Sequence, residues 1–85
     1  MGLDSIELVF AIEDEFGIEI PAHDVGHLAT VGEMADYLCA RVGAAEPDAR
    51  AAVWTRLVDV VERVQGLDRS RIVPEARFIR DLGVD

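Results

Sequence analysis

One cysteine, Cys39, occurs in 85 residues, which excludes an internal disulfide and any metal site built from cysteines alone. Long apolar runs are missing too. Asp4, Glu7 and Glu13 interrupt the first apolar stretch, so nothing at the start reads as a signal peptide. No segment is apolar for long enough to span a bilayer. The largest gap is in positive charge. Residues 1–40 hold nine acidic side chains and no Lys or Arg, while residues 41–85 hold eight of each sign, so the first half carries the whole formal net charge of −9. Such a half repels nucleic acid phosphates and anionic membranes and suits a basic protein surface. Arg69, Arg71, Arg77 and Arg80 alternate with Asp68, Glu75 and Asp81, so the tail offers no nucleic-acid patch. No serine–histidine–acid order, phosphate-cradling glycine loop or paired carboxylates suggest catalysis. A soluble, cytoplasmic, non-enzymatic protein is the expectation.

Apolar residues make up 51% of the chain, enough for one small core stable by roughly 5 kcal/mol. The spacing predicts three main helices. Over residues 3–16, Leu3, Ile6, Leu8, Val9, Phe10, Ile12 and Phe16 form a broad apolar arc, and Asp4, Glu7, Asp14 and Glu15 gather with Ala11 on the narrow remaining face. Gly17 ends this helix, and Ile18-Glu19-Ile20 before Pro21 reads as extended. A one-turn helix is expected within 22–28. Thr30-Val31-Gly32-Glu33 fits a capping box and opens a helix to about Val42, with Val31, Met34, Leu38 and either Val42 or Tyr37 facing inward. After a linker at 43–48, with Asp48 as its N-cap, a helix runs over about 49–65 on Val53, Leu57, Val60, Val61 and Val64, and Gly66 ends it. Trp54, Phe10, Phe16 and Phe78 are assigned to the core. Residues 67–85 read as a loop anchored by Ile72, Phe78 and Leu82. The fold class is all-α, a small bundle of three main helices and one short helix.

The two ends of the chain read as two halves of one motif, so Asp85 is expected to lie against Met1. Read from tail to head, Asp81-Leu82-Gly83-Val84-Asp85 runs into Gly2-Leu3-Asp4-Ser5-Ile6-Glu7-Leu8-Val9-Phe10-Ala11-Ile12-Glu13-Asp14-Glu15-Phe16. This resembles the signature of the acyl carrier proteins, the phosphopantetheine-binding carrier domains, in which D-L-G-x-D-S-L opens an acidic helix ending in E-E-x-F. Ile18-Glu19-Ile20-Pro21, Thr30-Val31 and Asp36-Tyr37-Leu38 extend the likeness. Residues 2–42 resemble the family from its attachment site to its last helix, and 49–85 resemble its first helix and following loop. The order is that of a circular permutation within a single domain, 1–85. A linker of about six residues reaches roughly 20 Å, enough to join neighbouring helix ends. The alternative is a domain-swapped dimer in place of a monomer.

The resemblance implies 4′-phosphopantetheine on a serine hydroxyl at a helix start, where unpaired N–H groups and the helix dipole favour the phosphodiester. Aligned without gaps on Glu7-Leu8-Val9 and Phe16, the second helix puts Gly2 at that position, without a hydroxyl. Ser5 follows in Gly2-Leu3-Asp4-Ser5-Ile6, one turn further in and between Ile12 and Phe16 on the wheel. Ser5 is the candidate cofactor-binding residue; read without the family, it is a first-turn serine beside an Asp4–Glu7 capping box. Asp4, Glu7, Asp14 and Glu15 are the candidate partner-binding residues. The partners implied are basic surfaces of acyl-transferring and condensing enzymes and a phosphopantetheinyl transferase, in fatty acid or polyketide biosynthesis. A carrier-like docking or regulatory protein without the prosthetic group is the second reading. His23 and His27 stand four apart around Asp24, but no third ligand is near, and no metal is expected.

Overall fold

Apolar residues four apart place Leu8, Ile12 and Phe16 on one side of the first helix, and all three are buried. The computed structural model describes residues 2–78 and Leu82, with side chains from Ile6 onward. Four α-helices follow in order: α1 (Gly2–Phe16), α2 (Ala22–Val25), α3 (Val31–Val42) and α4 (Pro47–Gln65). A single 3-10 turn follows at Arg69–Arg71. Among the described residues there is no strand, only an isolated antiparallel bridge between Thr30 and Arg77. The all-α expectation holds, with three substantial helices. The expected meeting of Asp85 with Met1 lies outside the described residues.

The central element is α4, which packs against α1, α3 and the 3-10 turn. It can do so because Val53, Leu57, Val58, Val60 and Val61 are all buried, a stripe wide enough to serve several neighbours. Val31, Met34, Leu38 and Cys39 come from α3, and Ile72, Ala76, Phe78 and Leu82 come from the tail. Ile20 enters the same core, because Glu13 Oε2 accepts its N–H at 2.6 Å and pulls the chain back after α1 ends. That end needs Gly17, whose φ of +66° is the left-handed conformation in which a Cβ is strained.

Thr30 caps α3 as expected: its side chain accepts from Glu33 N–H at 3.1 Å, and the Glu33 carboxylate accepts from Thr30 N–H at 3.1 Å. The next two donors of the helix are satisfied from far along the chain. Val31 N–H donates to Ala76 O at 3.0 Å and Gly32 N–H to Pro74 O at 2.9 Å. Phe78 N–H returns a bond to Ala29 O at 3.0 Å. The tail is thereby fastened across the start of α3, where backbone N–H groups would otherwise lack partners.

Several expectations are corrected. Phe10 is not a core residue but 63% exposed, and Ile6 is 50% exposed. At 100° per residue Phe10 lies roughly 160° round the helix from Ile12, beyond what α4 covers. Of the two inward candidates near the end of α3, Val42 is exposed, because the last turn runs past the core, while Tyr37 is half-buried and packs against it. Trp54 is half-buried and packs against the core edge. Asp48 is not the N-cap of α4: Glu46 holds that position without a side-chain cap, and Pro47 is the first helical residue. Proline fits there because its ring presets φ and its missing N–H would have had no helical partner. The connection from α3 is correspondingly shorter, residues 43–46.

Candidate functional site

The backbone of α1 is helical at Gly2 and continues so through Ser5. Gly2 is thus the first described residue of the helix, and Ser5 lies three residues further in. Within residues 1–38 three side chains carry a hydroxyl: Ser5, Thr30 and Tyr37. Two of them are engaged. Thr30 Oγ1 is spent on capping α3, and the Tyr37 hydroxyl donates to Asp24 Oδ2 at 2.8 Å while accepting from an Arg41 NH group at 2.7 Å.

The acids of α1 divide by where they stand on the helix. Glu7 and Asp14 are exposed, on the side turned away from α4. Asp4 lies in the stretch described by backbone alone. Glu15 differs from Glu7 and Asp14 in being half-buried, because at 100° per residue it borders Leu8 and so the covered face. Arg56 of α4 reaches it, with Nε donating to Glu15 Oε2 at 2.9 Å and a second guanidinium nitrogen donating to the Glu15 carbonyl. The same guanidinium lies over the Phe16 ring, 4.5 Å from its centroid. Sequence patterning did not show this pair, since the partners are 41 positions apart. Arg50 similarly holds Asp36 of α3, at 2.6 Å. Exposed Ile6 and Phe10 complete the outer face of α1, a mixed acidic and apolar surface.

Beside Phe10 that face deepens into an open groove of about 480 Å³, lined by Phe10, Glu13, Asp14, Gly17, Ile18 and Glu19. It has three carboxylates and no basic residue in its lining. Glu13 is committed in part to Ile20 N–H; Asp14 and Glu19 are exposed.

A smaller network joins α2 to α3. His23 Nε2 stands 3.1 Å from Asp24 Oδ1, and Asp24 leads on to Tyr37 and Arg41, with Arg41 stacked over the Tyr37 ring at 5.6 Å. Desolvation, and then the hydrogen bond to Asp24, push the Tyr37 phenol above its ordinary value of 10.0. A raised folded-state value means this contribution is present below the ordinary value and is lost as pH rises through the folded one. Tyr37 is the only tyrosine, so tyrosinate absorbance reports it alone. Asp24→Asn is expected to lower the midpoint and Arg41→Ala to raise it further. An unmoved midpoint in both variants would break the proposed link. Among the described residues no three His, Cys, Asp or Glu side chains converge as a metal site. No helix there is long and apolar enough to cross a membrane.

No solved structure matches the chain. Residues 1–38 match the family model described as the phosphopantetheine attachment site, the attachment region of carrier domains, which hold cargo and do not catalyse. The matched stretch runs from α1 into α3 and contains both Gly2 and Ser5, so the outer face of α1 and its first turn fall within a region similar to a phosphopantetheine attachment site.

Proposed function

We propose that the chain is a carrier module, its parts in permuted order, that docks basic enzymes through the outer face of α1 and bears phosphopantetheine on Ser5. One observation carries the choice of Ser5. Of the three hydroxyl side chains in the matched region, Thr30 and Tyr37 are held in hydrogen bonds of the fold, which leaves Ser5. Loading joins the serine oxygen to the pantetheine-side phosphorus of coenzyme A, breaks the pyrophosphate bond, releases adenosine 3′,5′-bisphosphate and gives up the hydroxyl proton. The arm then supplies a thiol for thioester-linked acyl groups. Glu7 and Asp14 supply the charge a basic partner meets; such rim contacts contribute at most about 1 kcal/mol each and weaken with salt. Glu15 contributes less, its carboxylate being occupied by Arg56.

A second reading is favoured by the helical register. Because Gly2 is already helical, Ser5 lies inside the helix, and a docking protein without the arm accounts for that position directly. Mass spectrometry after incubation with a promiscuous phosphopantetheinyl transferase and coenzyme A decides between them. The expected result is one added arm on the native chain and none on Ser5→Ala. Native chain without the arm, alongside retained binding to a basic enzyme, establishes the second reading. An arm on Ser5→Ala removes the site. Reversing charge at Glu7 and Asp14 is expected to weaken partner binding at low salt, and unchanged affinity would refute docking.

A further inference from the structure

The groove beside Phe10 has a counterpart inside the molecule. On the covered side of α1, an aromatic ring and a carboxylate, Phe16 and Glu15, together receive one guanidinium, that of Arg56: the cation lies over the ring at 4.5 Å while its Nε bonds the carboxylate at 2.9 Å. On the outer side, Phe10 is 63% exposed and lines a groove together with Asp14, Gly17, Ile18 and Glu19. A Cβ added at Gly17 would meet nothing within 4 Å, so the groove is open at that point. Every charged residue lining it is negative.

From this we propose that the groove accepts an arginine side chain from a basic partner protein, stacked on Phe10 and paired with Asp14 and Glu19. The inference rests on the docking reading above and adds the chemistry of the contact. Charge complementarity selects a cation. The flat exposed ring selects the planar, weakly hydrated guanidinium over the compact, strongly hydrated lysine ammonium. Gly17 places no side chain in the groove, and Ile18 offers apolar surface along which the three-carbon stem of an arginine can lie.

The test uses the whole chain, labelled for amide NMR, and a short acetylated and amidated alanine–leucine helix carrying a single arginine. A second peptide carries lysine in its place. The arginine peptide is expected to shift the amides of Phe10, Asp14, Gly17, Ile18 and Glu19 and to bind about threefold or more tightly than the lysine peptide. Phe10→Ala is expected to weaken the arginine peptide about fivefold. Phe10→Leu, which keeps apolar bulk and loses the ring, is expected to erase the arginine preference. Because Phe10 is exposed, both variants are expected to fold.

Equal affinity for the two peptides, a silent Phe10→Ala, or shifts confined to other faces would overturn the proposal. Glu7→Lys separates it from the reading beneath it, since Glu7 lies outside the groove. If that reversal weakens both peptides equally while Phe10→Ala does nothing, docking stands and the arginine groove falls. If none of these variants changes binding of either peptide, both fall. Self-association that Phe10→Ala abolishes would make a second copy of this chain the occupant and would also overturn it.

Discussion

Leu57→Ala should unfold this protein at far lower urea than the native chain, with a loss of about 2–5 kcal/mol. Leu57 has no exposed surface and sits on α4, the helix that packs against α1, α3 and the 3-10 turn. Truncation there removes apolar contacts and leaves a cavity whose walls belong to a helix with several packed neighbours, which limits collapse around it. At roughly 0.05–0.15 kcal/mol per residue, a chain of this size holds about 4–13 kcal/mol in all. The loss is therefore a large part of the total. Thr55→Ala on the exposed side of the same helix is the control and should change stability by less than about 0.5 kcal/mol. The measurement is the urea midpoint at unchanged slope. Equal midpoints for the two variants would show that α4 is not the central element.

The position of Leu57 was readable from spacing alone, as were the three long helices, the Thr30 capping box and the glycines that close α1 and α4. These features depend on residues within about one helical turn of each other, and local pattern records them. What spacing could not say was which part of a wide apolar arc would be covered. Seven apolar residues span more than half of α1, while α4 can mask only a sector. Ile6 and Phe10 were left outside it, and so an expected core aromatic became the exposed centre of the outer face. Glu15 moved the opposite way, from an expected exposed stripe to a pair with Arg56, because one position on the wheel separates the covered edge from open solvent. Asp48 lost the N-cap to Glu46 through the ring chemistry of Pro47. The bonds from Val31 and Gly32 to residues 74–76 join segments more than forty positions apart, and nothing local foretells such a meeting. The candidate site was legible in kind, an acidic helix face with a serine near its start; the groove that gives the face its shape was not.

Gly32→Ala should detach the tail from α3. A Cβ at this position would stand 2.9 Å from Pro74 O and 3.2 Å from Pro74 Cβ. The first of these atoms is backbone, and it is also the acceptor for Gly32 N–H at 2.9 Å. It cannot turn aside as a side chain would, so the clash is relieved only by moving residues 74–76 away and weakening the bonds from Val31 and Gly32 together. Overpacking of this kind costs about 1–3 kcal/mol, and each buried donor left without a partner adds to it. Gly26→Ala supplies the contrast: its φ is −62° and its added Cβ meets nothing closer than 3.6 Å. That variant should be neutral or gain up to about 1 kcal/mol through the unfolded state. Hydrogen exchange distinguishes local release from general loss. In Gly32→Ala the amides of Val31, Gly32 and Phe78 should lose protection well before those of Leu57 and Val60 in α4. Uniform acceleration across all of them would mean that the tail and α3 open only with the whole domain. Unchanged exchange at Phe78 would mean that the tail is held without the start of α3. The comparison bears on function because the fastened loop carries Phe78 and Leu82 into the core, and the carrier reading requires this tail segment to pack as part of the same small bundle as α1.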